Sequence, residues 1–227
     1  MTITERLMQL DPTLVLHNEG EWSKTILSYS AFNDGGVECE VGEFLYGMVR
    51  ILKPKGVLET GTHYGIGAAY MLLALDDNAT LDDNEFGYLN TIEFQKENRD
   101  IAYKRLFKVS GKFRSHLMDV KDYTPVRNFQ LILLDTEPDI RFKELIKFYP
   151  YLDEGGYVFI HDTPRNLCQG NVNPDHPHLK SWPFGDLPEE IKQWVKEDKL
   201  RPFHFPSPRG LIGLYKTHRD DYVWKKE

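Results

Sequence analysis

A short apolar segment that runs into a glycine-bearing turn and then a helix is the feature that most constrains this chain. Residues 57–59 (Val-Leu-Glu) predict a strand, residues 60–65 (Thr-Gly-Thr-His-Tyr-Gly) a turn, and residues 68–75 a helix. A strand that passes through a tight turn into a helix is the building unit of a parallel sheet covered by helices. The segment therefore predicts an α/β protein.

The same alternation repeats toward the C-terminus. Further strands are predicted at residues 88–93, 113–118, 129–134 and 157–160. Helical stripes between them comprise Ile101, Ala102, Arg105 and Leu106, and then Phe142, Leu145, Ile146, Tyr149 and Leu152. Two last strands, 201–205 and 210–215, fit an antiparallel edge. The fold class predicted is a Rossmann-like, doubly wound, mostly parallel seven-stranded sheet with an antiparallel C-terminal edge.

Four segments follow from this pattern. Residues 1–52 form an N-terminal helical preface, 53–163 the Rossmann-like core, 164–186 a lid or loop, and 187–227 a C-terminal helix, capped by Asp186, with the closing strands. The preface carries apolar residues at helical spacing, namely Phe44, Leu45, Met48, Val49 and Leu52. The loop is rich in Pro, Asn, Gly and His, and we expect its Trp182 and Phe184 to contact a substrate rather than its His176 and His178 to bind a metal.

Composition excludes several classes of function. A net charge of -7 and the lack of a Lys/Arg cluster argue against nucleic acid as a partner. Cys39 and Cys168 match neither a disulfide framework nor a CxxC metal motif, which fits a reducing compartment. No secretory signal and no apolar stretch of membrane-spanning length is present, so we expect a cytoplasmic protein with no membrane partner.

Polar side chains follow five successive predicted strands. They are Glu59, Glu93, Asp119, Asp135 and the pair His161-Asp162. Any one of these could merely cap a helix or begin a loop. Because the carboxyl ends of parallel strands share one edge of a sheet, the joint pattern predicts a single ligand site there.

At this point the chain resembles the class I methyltransferases. Residues 57–65 are similar to the first motif of that family, and 88–93, Asp119, 129–135 and 155–162 fall where its later motifs fall. The likeness is greatest to small-molecule O-methyltransferases such as the macrocin and catechol O-methyltransferases. One departure is His63, where many members carry glycine.

The resemblance implies S-adenosylmethionine (SAM) as cofactor. It assigns cofactor binding to Glu59, Gly61, Thr62, His63, Gly65, Glu93 and Asp119. Chemistry supports this assignment: glycines let backbone approach a ligand, Glu59 can meet the ammonium group of SAM, and Glu93 can accept the ribose hydroxyls. Asp119 would accept from the adenine amino group.

Methyl transfer also needs an activator for the acceptor oxygen. Asp135 and His161 are the candidate catalytic residues, and Asp135, His161 and Asp162 could hold Mg²⁺ or another divalent cation. The metal-dependent O-methyltransferases carry two acids after strand five, where this chain has His161-Asp162. Three interpretations of His161 stay open: a third metal ligand, a general base beside a metal-free site, or a residue that only hydrogen-bonds a loop.

Two rival functions remain. Residues 60–67 also match the TGxxxGxG fingerprint of short-chain dehydrogenases, which use NAD(P), although the only YxxxK pair, Tyr222 and Lys226, lies beyond the last strand. The other rival is a non-catalytic Rossmann-like binding protein. The favoured hypothesis is transfer of a methyl group to a small hydroxyl-bearing molecule, by an enzyme that could pair with a second copy through Phe44 and Tyr46.

Overall fold

A computed structural model describes residues 1–19, 29–33, 35–80, 87–137, 139–163, 188–205 and 209–218. The helices are α1 (Ile3–Leu10), α2 (Cys39–Leu52), α3 (Ile66–Ala79), α4 (Lys96–Val109), α5 (Arg141–Phe148) and α6 (Glu189–Lys196). The strands are β1 (Leu16–Glu19), β2 (Tyr29–Phe32), β3 (Gly56–Thr60), β4 (Tyr88–Glu93), β5 (Phe113–Leu117), β6 (Phe129–Leu134), β7 (Leu152–His161), β8 (Leu200–Phe205) and β9 (Leu211–Lys216).

Seven of the strands form one sheet in the order β5-β4-β3-β6-β7-β9-β8. The first five pair in parallel, and β9 lies antiparallel between β7 and β8. The fold class predicted from the sequence is therefore confirmed. The order of strands reverses between β3 and β6, and in open α/β sheets the crevice at such a reversal is where ligands bind.

The two faces of the sheet are buried under different helices. Val57 of β3 belongs to a core with α1 to α4, whereas its neighbour Leu58 belongs to a core with α5 and α6. This alternation follows from the two-residue period of a strand. Apolar burial on both faces explains why β3 and β6 read as nearly continuous hydrophobic runs.

Helix α3 begins directly after the predicted turn. Its residues 66–75 are all buried, and such a helix, apolar on every side, belongs in the interior of a domain. Gly65 precedes it with φ of 80°, a backbone conformation that favours glycine. The turn is thus anchored to a helix that cannot shift without disturbing the core.

Three local expectations needed correction. The preface contains α1 and α2, but it also contains the antiparallel hairpin β1-β2, whose four-residue strands are too short to show an alternating pattern. Ile101 is 42% exposed because α4 buries only Ala102, Arg105 and Leu106. The predicted stripe through Tyr149 and Leu152 breaks at a 3-10 turn that contains Pro150, and Leu152 already begins β7.

Phe44 and Tyr46 are the residues through which the sequence suggested pairing with a second copy. Phe44 and Tyr46 pack on the chain's own core, and the Tyr46 hydroxyl donates to Asp77 at 2.6 Å. The expected lid, the Asp186 cap, Cys168 and the Tyr222/Lys226 pair lie outside the described residues. Within the described ranges, no helix combines the length and the apolar character needed to cross a membrane.

Candidate active site

The turn after β3 fits closely against its neighbours. A methyl group on Gly61, whose φ is 75°, would lie 2.6 Å from the carbonyl carbon of Asp135 and 2.8 Å from the nitrogen of Thr136. On Gly65 it would lie 3.1 Å from Cβ of Ala102. Because these two glycines have no side chain, the turn can pack closely against the backbone that follows β6 and against α4. These contacts hold the turn at the point where the strand order reverses.

Glu59 is the next-to-last residue of β3, every residue of which is buried, and it is only 2% exposed. Its Oε2 accepts a hydrogen bond of 2.6 Å from the Thr91 hydroxyl. Thr62 also contacts the Thr91 hydroxyl, and since that hydroxyl gives its one proton to Glu59, Thr62 is the donor in this second bond. Burial raises the pKa of Glu59 to about 8, with further contributions from the nearby carboxylates of Asp135 and Glu93.

Glu93 at the end of β4 binds the same turn. Its Oε2 accepts from the backbone N–H of His63 at 2.8 Å, and its Oε1 accepts from the N–H of Gln95 at 2.8 Å. His63 has φ of 48°, in the left-handed region, which turns its N–H toward Glu93. Glu59 and Glu93 therefore both hold one turn, as a site shared by neighbouring strand ends requires.

Asp119 follows β5 but makes different contacts. Its carboxylate accepts from the N–H of Lys121 at 2.9 Å, caps a 3-10 turn, and pairs with the Lys121 ammonium at 2.9 Å. These contacts lower its pKa. The contact of Asp119 with adenine stays a prediction.

Asp135, His161 and Asp162 do come together at the ends of β6 and β7, with one ligand atom of each within 4.8 Å of the others. His161 is fully buried, and its Nδ1 lies 2.9 Å from Oδ1 of Asp135. Burial alone would lower the pKa of His161, but the charges of Asp135 and Asp162 outweigh it and raise the pKa to about 10. The imidazole is therefore a cation at neutral pH.

Asp162 is held by two arginines. Oδ1 lies 2.7 Å from Nε of Arg209 and Oδ2 accepts from its Nη2 at 2.8 Å, while Arg141 Nη2 lies 3.4 Å from Oδ2. Burial raises the pKa of Asp162, but the charges of His161 and the two arginines more than compensate, so the pKa is well below its ordinary value.

Three residues of this region were missed by sequence reasoning: Glu38, Arg141 and Arg209. Glu38, fully buried at the start of α2, accepts from Nε2 of His161 at 2.6 Å and from the N–H of Arg209 at 3.0 Å. Glu38 lies between the buried residues Val37 and Cys39. The sequence signal for Glu38 was a charged residue between two apolar ones. This signal does not identify the distant group with which the residue pairs.

Comparisons with known proteins agree with this architecture. Residues 58–163 match the family model described as a methyltransferase domain. A curated Mycobacterium sp. (strain KMS) protein, named as a candidate O-methyltransferase, is 22% identical over 184 residues, which cover 78% of each chain.

Solved structures extend the likeness to the whole fold. The O-methyltransferase TomG from Streptomyces achromogenes, solved in complex with SAM, superposes with a TM-score of 0.62 at 17% identity, covering 82% of this chain and 83% of TomG. An O-methyltransferase from Bacillus cereus in complex with S-adenosylhomocysteine (SAH) has a TM-score of 0.61 at 13% identity, covering 94% and 90%.

The seven-stranded fold, with its crevice at the strand ends, is the fold of these cofactor-bound methyltransferases. The methyltransferase domain matched at residues 58–163, together with these relatives, supports a SAM-dependent methyltransferase. The dehydrogenase and binding-protein alternatives are not favoured by these findings.

Proposed function

We propose that this enzyme methylates a hydroxyl group of a small molecule and that Asp135 receives the hydroxyl proton. The observation that carries the proposal is the place of Asp135. It ends β6 at the reversal in strand order, and its backbone packs directly on Gly61 of the turn that Glu59 and Glu93 hold. A methyl donor bound over this turn would lie beside the Asp135 carboxylate.

For methyl transfer, the chain must position the acceptor against the methyl donor and supply a base. The acceptor oxygen bonds to the methyl carbon as the carbon–sulfur bond breaks, and the electron pair stays on the sulfur of SAH. The hydroxyl proton passes to Asp135. Contacts that hold the acceptor about 3 Å from the methyl carbon supply much of the rate enhancement, because they replace a bimolecular encounter.

For cofactor contacts, we propose Glu59, Gly61, Thr62, His63, Gly65, Glu93 and Asp119. The first six are supported by their meeting at one turn. Asp119 has weaker support, since Lys121 already occupies its carboxylate.

Calorimetry with SAH and a methyl-transfer assay against a library of phenols, sugar alcohols and amines test the proposal. We expect SAH to bind and at least one hydroxyl compound to be methylated. Asp135→Asn should reduce kcat about 10²- to 10⁴-fold, the range for loss of a general base, with the Kd for SAH changed less than about threefold. Asp139→Asn, an exposed acid after the same strand, is the matched control. Methylation of amines alone, or of nothing despite SAH binding, would refute the proposal.

Assistance by a divalent cation is a second hypothesis for activation of the acceptor. Its one motivation is the proximity of Asp135, His161 and Asp162, whose polar atoms already contact one another and two arginines; a bound cation would lower the pKa of the acceptor hydroxyl. Activity that survives EDTA would remove this hypothesis.

We also propose that residues 164–186 form a lid over the acceptor. The segment starts directly after Thr163, whose N–H donates to the carbonyl of Gly210 at 3.2 Å next to Asp162. Replacing residues 168–184 with a Gly-Ser linker should abolish acceptor turnover and leave SAH binding intact. A loss of SAH binding instead would contradict the lid. We likewise propose the four-segment division of the chain, a small-molecule partner and association with a second copy of the chain.

A further inference from the structure

The carboxyl ends of β6 and β7 are surrounded by charged side chains that contact one another in a closed network. We call it the ion cluster, and it consists of Glu38, Asp135, Arg141, His161, Asp162 and Arg209. Three members are acids and three are bases. With His161 protonated, the cluster is electrically neutral without any added ion.

His161 has no free lone pair for a metal. Nδ1 lies 2.9 Å from a carboxylate oxygen of Asp135 and Nε2 lies 2.6 Å from one of Glu38. An ionised carboxylate only accepts hydrogen bonds, so both ring nitrogens must donate. A histidine ligates a metal through an unprotonated nitrogen, and binding here would require one of these two short bonds to break.

Asp162 is equally committed, because each of its oxygens lies within 2.8 Å of a nitrogen of Arg209. Arg141, 5% exposed, adds a second guanidinium 3.4 Å away. A divalent cation at this place would face both guanidinium groups. Mg²⁺ binds proteins through one or two carboxylates and keeps several waters. Here the carboxylate of Asp162 already pairs with both guanidinium groups and that of Asp135 lies 3.5 Å from Arg141, so these guanidinium groups would repel a cation bound at either acid.

Glu38 connects this cluster to a distant part of the chain. One of its oxygens accepts from His161 and the other from the backbone N–H of Arg209 at 3.0 Å. These bonds point Nδ1–H of His161 at Oδ1 of Asp135, which Arg141 also approaches at 3.5 Å. Within the described part of the chain, Oδ2 of Asp135 makes no hydrogen bond or ion pair, and it is therefore available to the acceptor proposed above.

We infer that the ion cluster takes the place of a divalent cation beside the acceptor, and that Glu38 is a positioning residue that orients Asp135 through His161. The role for Glu38 rests on the proposed function, whereas the exclusion of the metal rests on the cluster alone. The residues present do not fit the metal site expected from the resemblance, and His161, enclosed by two carboxylates, does not serve as the general base.

Metal exclusion is tested on the wild-type protein without turnover. Titration with Mn²⁺ followed by electron paramagnetic resonance should detect no stoichiometric site at millimolar concentration, with or without SAH. In protein labelled with ¹⁵N-histidine, His161 should show two protonated ring nitrogens that do not shift when Mg²⁺ is added. One Mn²⁺ bound per chain and lost in Asp135→Asn, or an unprotonated nitrogen on His161, would overturn the inference.

The positioning role is tested with Glu38→Gln, which has one acceptor oxygen where two N–H groups need one each. We expect kcat to fall about 10- to 100-fold, since displacement of a reacting group by about 1 Å can cost on the order of 100-fold, with unchanged SAH stoichiometry and KM for SAM. Glu38→Asp keeps both acceptors and should recover part of kcat. The control is Glu40→Gln, at an exposed acid of the same helix.

A fall in SAH stoichiometry that matches the fall in kcat would show that Glu38 only supports folding, and would refute positioning. If SAH binds and Mn²⁺ does not, but no hydroxyl compound is methylated, the proposed function fails while the metal exclusion stands.

Discussion

Glu59 shows how a single buried acid can couple ligand binding to protonation. Burial raises its pKa to about 8, from an ordinary value near 4.5, so the carboxyl is mostly protonated at pH 7 in the free enzyme. A cationic ammonium group nearby favours the ionised form and lowers the pKa again. Binding should therefore drive a proton off Glu59.

We predict that SAH binding at pH 7 releases up to one proton, and that Glu59→Gln abolishes this release. Calorimetry in two buffers of different ionisation enthalpy measures it as a difference in apparent binding enthalpy. Glu137→Gln, which removes an exposed acid after β6, should leave the release unchanged. A binding enthalpy that does not depend on the buffer would contradict a contact between Glu59 and the ammonium group.

Gly61 is constrained by backbone angle and by space at once. Its φ of 75° disfavours any side chain, and a methyl group would meet the backbone of Asp135 and Thr136 within 2.8 Å. We predict that Gly61→Ala lowers the free energy of unfolding by about 2–5 kcal/mol, the sum of left-handed strain and overpacking, and weakens SAH binding.

The control for Gly61→Ala is Gly47→Ala on α2, where a methyl group meets no atom within 4 Å. It should raise the free energy of unfolding by about 0.5–1 kcal/mol, because glycine in a helix interior is disfavoured. Urea unfolding measures both variants. Equal stability of the two would show that the contact at Gly61 relaxes at no cost.

Among the secondary-structure elements, helix α5 is joined to the end of strand β3 by a hydrogen bond to a buried acid. Glu144 of α5 accepts from the Thr60 hydroxyl at 2.9 Å. Burial raises the pKa of Glu144 to about 6, so the folded state binds its proton more tightly than the unfolded state does. The stability that this proton contributes is complete below about pH 4.5 and is lost as the pH rises through 6.

We predict that Glu144→Gln becomes more stable than the wild type as the pH rises from 4.5 to above 6. The relative gain should be of the order of 2 kcal/mol, since one pKa unit corresponds to about 1.4 kcal/mol. Unfolding by urea at pH 4.5, 6 and 7.5 measures it. Glu189→Gln, on the exposed side of α6, should show no such trend, and a gain that does not vary with pH would rule out the titration of Glu144 as its source.

Across the whole molecule, Arg105 ties three separate segments together. Its Nε donates to Asp11, which follows α1, at 2.8 Å, and its Nη1 donates to the carbonyl of Tyr64, in the turn after β3, at 2.6 Å. Both charged side chains of the Arg105–Asp11 pair are only 4% exposed. The end of α1 is therefore connected through a buried ion pair to α4 and, through Arg105, to the turn after β3.

We predict that Arg105→Met lowers the free energy of unfolding by about 3 kcal/mol, because removal of one partner of a buried pair leaves the other carboxylate poorly compensated. It should also weaken SAH binding through the released Tyr64. Arg201→Met removes half of an exposed pair with Asp198 and should cost less than about 1 kcal/mol. Thermal and urea unfolding together with SAH calorimetry measure these effects; equal costs for the two variants would contradict the role of burial.

The sequence pattern predicted correctly those elements whose structure depends mainly on neighbouring residues. Strand β6 begins and ends with its apolar run, and β4 has the bounds that the sequence predicts, so Glu93 and Asp135 were correctly placed at the ends of their strands. The turn around Gly61 was equally visible, since positive φ restricts the residue type. Hairpin β1-β2 was not visible, because strands of four residues depend on what they pack against.

The sequence by itself determined the alternation of strands and helices from β3 onward, the edge of the sheet at which the candidate site lies, and most acids at that edge. Only the tertiary structure decided what those acids do. Glu38 and His161 are 123 residues apart, and Glu38 and Arg209 are 171 apart. Hydrophobic periodicity acts over a few residues, whereas the charge of a carboxylate is balanced by whichever group folding brings within hydrogen-bond distance. For that reason an apparent metal triad in the sequence became part of a neutral ion cluster in the fold.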